Sequence, residues 1–331
     1  MLSDHRQRAT FNPTGWTIVK PLPEGGQGWT YVVKRSDGND HNLYVLKRLK
    51  NKNRLARFEH EVAALQKLSH SGILKIVESS ISRDDPFYVA EYCEHGDLTN
   101  QDLSKKSLLE KLLLHQEICD AVATAHQAKV IHRDLKPQNV LVRKDGSVAV
   151  GDFGLCLDLG AGDERETPSL EAVGPRNYMA PELEDGRLDD PEPSSDCYTL
   201  GKLLYFILSG RSFSREKHRQ PSYDLRSHNC ELGMYFVYEL LDKTIQVEPK
   251  ARFRNGRELM EALNGVIMRI ETNAHVLNIN VPQHCLYCVT GLYQHRPDWG
   301  AKYEMALVCN TCGNIQRFTA QSSPQKEWWG S

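Results

Sequence analysis

The chain has 331 residues, which fits one large domain with a small module attached, since single domains can reach about 250 residues. The formal net charge of −2 gives no reason to expect a nucleic acid or a membrane surface as partner. No signal-peptide core is present at the N-terminus, and the longest apolar stretch, Leu203–Leu208, is too short to span a bilayer. These features predict a soluble protein of the cytoplasm.

Four short β-rich segments occupy residues 16–91, after an N-terminal extension over residues 1–15. Gly, Asp and Asn turns separate these segments, and one helix is predicted over 57–68. Helical patterns dominate residues 94–270, most clearly at 108–128, with two strand-like pieces between them. The predicted fold class is α+β, with a small β-rich lobe that carries one main helix and a larger helical lobe.

A glycine-rich turn, PEGGQG, lies between two of the predicted strands. Its glycines, Gly25, Gly26 and Gly28, allow backbone N–H groups to approach phosphates, although such a turn is often only a tight hairpin. Lys47 ends an apolar strand, and Glu61 follows on the predicted helix. The two side chains could form an ion pair that directs the ammonium group to nucleotide phosphates, or each could be a solvated surface charge.

Two motifs, HRDLKPQN at 132–139 and GDFG at 151–154, flank a strand-like segment. Phosphoryl transfer requires a carboxylate that accepts a proton, a cation near the transferred group and oxygen ligands for Mg²⁺, and these motifs supply all three. MAPE follows at 179–182, and the three motifs in this order are a highly specific combination. On these residues the sequence resembles the eukaryotic-type (Hanks-type) protein kinases over residues 16–270.

The resemblance implies the two-lobed protein kinase fold and transfer of the γ-phosphoryl group of ATP to protein substrates, with Mg²⁺ or Mn²⁺ as cofactor. It implies that Asp134 is the catalytic base and that Lys136 stabilises charge on the transferred group. It also implies that Asn139 and Asp152 are the ligands of the metal ion.

The resemblance further implies a nucleotide site between the lobes, in which Glu61 holds Lys47 and Ala90 lies at the back of the adenine pocket. The residues implied to contact the nucleotide are Leu22, Gly25, Gly26, Gly28, Thr30, Lys47, Glu91 and Cys93. Two structural contacts are also implied: Asp196 with the backbone of the catalytic loop, and Glu182 with Arg252.

The acceptor hydroxyl and the regulation depend on residues around the activation segment. Lys136 is typical of kinases that act on serine and threonine, whereas Pro175 occupies a position where such kinases usually have threonine. Because Arg133 precedes the catalytic aspartate, a phosphate on Thr167 or Ser169 could pair with it and order the segment. The acidic residues of the same segment could take that place instead.

Two C-x-x-C pairs follow a connector at 271–283, and a tail occupies 319–331. Their spacing matches a structural zinc site closed by four thiolates, and residues 284–318 resemble a zinc ribbon. A redox pair or two disulfides are the alternatives. The candidate zinc ligands are Cys285, Cys288, Cys309 and Cys312.

Basic and acidic residues are nearly balanced from residue 284 onward, so this module lacks the charge expected of a nucleic-acid binder. A contact with a protein is the favoured role. For the whole chain the sequence predicts an active kinase with protein substrates, and the alternative is a pseudokinase scaffold that binds nucleotide and acts through the zinc module.

Overall fold

The computed structural model of the chain describes most of the region that carries the motifs, together with four strands beyond it. The described residues are 11–23, 28–82, 85–154, 156–158, 177–184, 192–225 and 233–271, followed by 283–284, 292–295, 305–309 and 315–318. Within these ranges, no helix is long and apolar enough to cross a membrane.

An antiparallel sheet of five strands forms the N-terminal lobe, in the order β1-β2-β3-β5-β4. The strands are β1 (Trp16–Pro21), β2 (Gly28–Arg35), β3 (Tyr44–Leu49), β4 (Ile76–Ser80) and β5 (Phe87–Glu91). The sequence predicted four of them and missed β4. This strand lies at the edge of the sheet and none of its residues is fully buried, so it lacks the apolar pattern on which strand prediction depends.

One helix, α1 (Leu55–Lys67), packs against this sheet, close to the predicted span of 57–68. Its buried face carries Phe58, Val62 and Leu65, which belong to the main core of the protein. Glu61 lies on the same face and is only 1% exposed. A carboxylate is costly to bury without a partner, so this position requires a cation or a hydrogen-bond donor beside it.

Helices make up most of the C-terminal lobe. The helices are α2 (Leu108–Gln127), α3 (Pro181–Glu184), α4 (Ser194–Ser209), α5 (Gly233–Thr244) and α6 (Gly256–Glu271). α2 starts with a capping box, in which Ser107 and Glu110 exchange hydrogen bonds that satisfy the free N–H groups of the first turn. Nearly all of α4 is buried, and α2, α5 and α6 pack around it.

Two small antiparallel strand pairs lie at the junction of the lobes. They are β6 (Val130–Ile131) with β9 (Leu157–Asp158), and β7 (Val140–Val142) with β8 (Val148–Val150). The connections next to these strands contain both catalytic motifs. The predicted arrangement of a β-sheet lobe followed by a helical lobe is confirmed.

A separate antiparallel sheet of four strands follows the helical lobe. Its strands are β10 (Gln283–His284), β11 (Leu292–His295), β12 (Met305–Cys309) and β13 (Ile315–Phe318). Cys285, Cys288 and Cys312 lie outside the described residues, and of Cys309 only the backbone is described. Among the side chains that are described, no group of three or more His, Cys, Asp or Glu is arranged to bind a metal ion. The zinc site therefore stays a prediction.

Candidate active site

Lys47 lies on β3, and its ammonium group contacts two carboxylates. Nζ is 2.7 Å from Oε1 and 3.0 Å from Oε2 of Glu61, and 3.3 Å from Oδ1 of Asp152. The hydroxyl of Tyr88 donates a hydrogen bond of 2.8 Å to Glu61 Oε1. The structure thus brings Lys47 and Glu61 together across the space between sheet and helix.

The charge of Lys47 is set by these neighbours. Burial alone lowers the pKa of a lysine, but the carboxylates of Asp152 and Glu61 outweigh it and raise the pKa of Lys47 well above its usual value. Lys47 therefore keeps its positive charge in a site largely closed to water. A fixed cation of this kind can bind the phosphates of a nucleotide.

Asp134, Lys136 and Asn139 converge within the HRDLKPQN motif. Lys136 Nζ donates to Oδ2 of Asp134 at 2.7 Å, and Asn139 Nδ2 lies 2.7 Å from the backbone oxygen and 3.1 Å from Oδ2 of the same residue. Because Asp134 uses the amide nitrogen of Asn139, the amide oxygen is the atom that can ligate a metal ion. The motif thus holds one oriented carboxylate beside one cation.

Asp152 has a backbone conformation that few residues other than glycine adopt, with φ of +57°. Arg133 is in the same left-handed region at +67°, and such positions, which cost about 1–3 kcal/mol each, cluster at functional sites. Burial tends to raise the pKa of Asp152, but Lys47 and Lys136 outweigh it and the pKa is lower than usual. Asp152 is therefore an ionised carboxylate, which suits a divalent cation.

His132 connects the two motifs. Its Nε2 lies 3.0 Å from the backbone oxygen of Gly151, and its Nδ1 lies 3.3 Å from the backbone nitrogen of Asp134. Since a carbonyl oxygen only accepts and a backbone N–H only donates, the ring proton belongs on Nε2. The Gly151 N–H also donates to the backbone oxygen of Asn139 at 2.9 Å, so the two motifs have a fixed relative position.

Asp196, at the start of α4, holds the backbone of the catalytic loop, residues 132–139. Its oxygens accept the backbone N–H groups of His132 at 2.8 Å and Arg133 at 2.9 Å, which is the contact that the resemblance implies. The same carboxylate accepts a hydrogen bond of 2.9 Å from Nε2 of His126, and Nδ1 of His126 accepts from the backbone of Gly256 at 2.9 Å. The loop is thereby attached to three helices of the C-terminal lobe.

Glu182 and Arg252 form a second buried contact, also as implied. Nη1 of Arg252 donates to Oε1 of Glu182 at 2.7 Å, and Nη2 donates to Oε2 at 2.8 Å. The arginine side chain is fully buried. Further N–H groups of Arg252 donate to backbone oxygens. Such a pair adds little net stability but is costly to break by removing one partner.

Leu22 and Thr30 flank the glycine-rich turn, and the Leu22 N–H donates to the Thr30 oxygen at 2.8 Å. Gly28 starts β2, where an added Cβ would lie 2.4 Å from the backbone oxygen of Arg48, so only glycine fits there. Gly25 and Gly26 lie outside the described residues.

Ala90 and Glu91 end β5, and Cys93 follows them in the connection to the C-terminal lobe. Ala90 is 1% exposed and belongs to the main core. Burial raises the pKa of the Cys93 thiol to about 12, so this group is protonated and unreactive. The contact of this connection with adenine, which the resemblance implies, stays a prediction.

Three residues of the site were missed from the sequence: Tyr88, His126 and Arg57. Strand alternation places Tyr88 on the same face as Ala90, which is the signal that could have identified it. His126 gives no such signal, because its partner Asp196 belongs to another helix, and Arg57 gives none, because the carboxylates of Asp134 and Asp152 that act on it are distant along the chain. Thr167, Ser169 and Pro175 lie outside the described residues.

The protein kinase domain family matches residues 16–267 of the chain. The chain is also similar to a carbon catabolite-derepressing protein kinase of Secale cereale, with 37% identity over 195 residues, covering 57% of this chain and 38% of that protein. A serine/threonine-protein kinase PknA of Nostoc sp. is 28% identical over 221 residues, covering 64% of this chain and 39% of that protein.

A third relative, serine/threonine-protein kinase PrkC of Bacillus subtilis, is 33% identical over 159 residues, covering 47% of this chain and 24% of that protein. The similarity thus spans less than two fifths of each of these relatives. The family match, in contrast, takes in well over half of the present chain and every described residue of the site. The chain therefore belongs to the protein kinase domain family.

Proposed function

We propose that the chain is an ATP-dependent protein kinase that transfers the γ-phosphoryl group to serine or threonine hydroxyls of protein substrates. The observation that carries the proposal is that Lys47 contacts Asp152, while hydrogen bonds of Gly151 with His132 and Asn139 join the loop of Asp152 to the loop of Asp134. Lys47 is cationic and Asp152 is anionic, and Lys136 orients Asp134, as phosphoryl transfer needs. The relatives named above as serine/threonine-protein kinases support the choice of acceptor.

Asp134 is the proposed base that accepts the proton of the attacking hydroxyl. Its Oδ2 is oriented by Lys136 and Asn139, which leaves its other oxygen to meet the substrate. Lys136 is also placed to stabilise negative charge on the transferred group once the substrate displaces its contact with Asp134. Lys47 would hold the α- and β-phosphates while Glu61 keeps its ammonium group in place.

Asp152 and the amide oxygen of Asn139 are the proposed ligands of Mg²⁺ or Mn²⁺. The lowered pKa of Asp152 and its contact with a cationic Lys47 support this assignment, because a divalent cation would neutralise an anionic carboxylate of this kind. Held by these two residues, the metal ion would supply positive charge that offsets the negative charge of the nucleotide phosphates.

The test compares the wild-type protein with Asp152→Asn in the presence of Mg²⁺·ATP and a generic protein substrate. Phosphoamino-acid analysis by mass spectrometry should find phosphoserine or phosphothreonine with the wild type and a loss of at least about 10²-fold with the variant. Asp102→Asn, an exposed change of the same type, is the control and should retain activity.

Phosphotyrosine as the main product would contradict the proposed acceptor and would implicate Pro175. Nucleotide binding without transfer by the wild type would contradict the kinase and favour a scaffold that binds nucleotide.

Activation by autophosphorylation on Thr167 or Ser169 is part of the proposal. Burial lowers the pKa of Arg133, while the charge of Asp196 raises it and the charge of Arg57 lowers it. Nε of Arg57 is buried and has no hydrogen-bond partner in the described part of the chain. A guanidinium group with a donor of this kind suits a phosphate. Phosphosite maps of the wild type and of Asp134→Asn should differ, and identical maps would exclude autophosphorylation.

We further propose that residues 284–318 bind one structural Zn²⁺ and contact a protein. Each C-x-x-C pair begins where a strand ends: Cys285 follows β10, and Cys309 is the last residue of β12. Metal analysis of the purified full chain should find one Zn²⁺ per molecule, and about none after Cys309→Ser and Cys312→Ser together. A full chain without stoichiometric Zn²⁺ would exclude the site.

A further inference from the structure

One guanidinium group joins three segments at the junction of the lobes. Arg143 directly follows β7, and Glu91 is the last residue of β5. Nε of Arg143 donates to Oε2 of Glu91 at 2.7 Å, and Nη2 donates to Oε1 at 2.9 Å. This paired geometry is the strongest form of an arginine–carboxylate contact, and the hydrogen bonds to Glu91 raise the pKa of Arg143.

The other N–H groups of Arg143 also have partners. Nη2 donates to the backbone oxygen of Ser71 at 2.7 Å, and Nη1 donates to the backbone oxygen of Val148 at 2.7 Å and to Oγ of Ser147 at 3.3 Å. All five N–H groups of the side chain are therefore used. An exposed ion pair would leave most of them to water, and a lysine with three donors could not replace them.

Glu91 is equally constrained. Its Oε1 accepts the backbone N–H of Lys75 at 2.9 Å, and its own N–H donates to the oxygen of Lys75 at 3.0 Å. The loop that contains Lys75 joins α1 to β4 and pairs with β8, through Leu74 N to Val150 O at 2.9 Å and Val150 N to Gly72 O at 2.8 Å. The end of β5, this loop and the β7–β8 turn are thus held together around one guanidinium group.

We propose that Arg143 is a positioning residue for the nucleotide, which acts through Glu91 on the connection at 91–93. The inference rests on the proposed function, in which the chain binds ATP, and on the resemblance, which implies that the nucleotide contacts this connection. We call the paired hydrogen bonds between Arg143 and Glu91 the clamp. With the clamp intact, the connection is ordered before the nucleotide binds, so the free energy of binding is not reduced by the cost of ordering it. The side chains of Arg143 and Glu91 are 20% and 27% exposed, so water only partly screens the pair.

The position of the clamp determines which kinetic constant depends on it. None of the partners of Arg143 belongs to the set of Asp134, Lys136 and Asp152 that carries the chemistry. Loss of the clamp should therefore weaken binding of nucleotide in the ground state and the transition state alike. Such a change raises the KM for ATP and leaves kcat at saturating ATP nearly unchanged.

The experiment is a double-mutant cycle with Arg143→Met, Glu91→Gln and the double variant, read as the KM for ATP, kcat and the Kd of a fluorescent ATP analogue. Each single change should raise KM and Kd about tenfold, which corresponds to about 1.4 kcal/mol. The KM and Kd of the double variant should be no higher than those of the more strongly affected single variant, because both changes break the same contact. Arg143→Lys should retain the charge and recover only part of the affinity.

The matched control is Arg35→Met with Glu78→Gln, an ion pair of 3.1 Å in the same lobe that contacts neither the connection nor the clamp. It should leave KM and Kd unchanged. Additive effects in the double variant, or a fall in thermal stability and kcat with an unchanged KM, would overturn the inference. A wild-type protein without transfer or nucleotide binding would instead overturn the proposed function, so the two failures are distinguishable.

Discussion

Two largely buried lysines, one in each lobe, have different kinds of partner. In the N-terminal lobe, the ammonium group of Lys47 contacts the carboxylates of Glu61 and Asp152. In the C-terminal lobe, Lys202 on α4 is 2% exposed, and its Nζ donates to the backbone oxygens of Phe213 at 2.6 Å and Arg215 at 2.8 Å. Its Nζ also lies 3.5 Å from the centroid of the Phe213 ring.

The difference in neighbours shifts the pKa values of the two ammonium groups in opposite directions. Lys47 has a pKa well above its usual value, because two carboxylates outweigh the effect of burial. Burial lowers the pKa of Lys202 to about 7, and the charges of Glu216 and Glu184 offset only part of this effect. A lysine held by carboxylates keeps a charge that a phosphate can use, whereas a lysine held by carbonyl oxygens fixes the segment that follows α4.

Lys47→Met should break the first arrangement and have the largest effect. It removes the cation proposed to hold the phosphates, and kcat/KM for ATP should fall by about 10²–10³-fold. Glu61, which is 1% exposed, would lose its counter-ion and should take up a proton. Steady-state kinetics on purified protein measure the loss. Lys34→Met removes an exposed charge from the same sheet and should have no effect, and a loss of less than tenfold with Lys47→Met would contradict the comparison.

Lys202→Met should change the way in which the free energy of unfolding depends on pH. Because burial favours the neutral amine in the folded protein, the unfolded chain binds more protons between about pH 7 and pH 10.5. The contribution of Lys202 to the free energy of unfolding therefore rises with pH across this window, by at most about 1.4 kcal/mol per pH unit. Urea denaturation at several pH values should show this rise in the wild type relative to Lys202→Met.

The control for this measurement is Lys111→Met. Lys111 also donates to a backbone oxygen of α4, that of Leu208 at 3.1 Å, but it is only half-buried. Its removal should leave the pH dependence as it is in the wild type. Equal slopes for the wild type and Lys202→Met would mean that Lys202 stays charged in the folded protein.

The sequence predicted the parts of the molecule whose signals are local. The HRDLKPQN and GDFG motifs identified the family, and apolar periodicity located α1 and α2 to within about two residues. The edge strand β4 was missed because Glu78, Ser79 and Ser80 give it no apolar face. Non-local contacts outside those that the resemblance implied could not be predicted: Arg143 lies 52 residues from Glu91 and 72 residues from Ser71 along the chain.

The charge of Lys202 belongs to the same non-local class. Its position in an apolar helix predicts burial, but its pKa depends on carbonyl oxygens that the following segment brings to it. Likewise, the aspartate of GDFG is visible in the sequence, whereas the low pKa that keeps it ionised depends on Lys47, which is 105 residues away.

Tyr88→Phe should have the smallest effect of these substitutions, because it removes only one of the hydrogen bonds that hold Glu61 beside Lys47. It removes the hydroxyl that donates to Glu61 at 2.8 Å but keeps the ring that stacks on Phe58 with centroids 5.5 Å apart. The expected cost is about 1 kcal/mol in the free energy of unfolding, with kcat lowered only a few-fold, because Glu61 retains both contacts with Lys47.

Tyr44→Phe provides the matched control, since the Tyr44 hydroxyl donates to the carboxylate of Asp40 in the same lobe, away from the cleft. It should leave kcat unchanged. A loss of activity with Tyr88→Phe as large as that with Lys47→Met would mean that two ammonium contacts cannot hold Glu61 in place. The orientation of Lys47 would then depend on the strand β5 as much as on the helix α1, and the carboxylates alone would not explain why this lysine, unlike Lys202, is suited to bind phosphate.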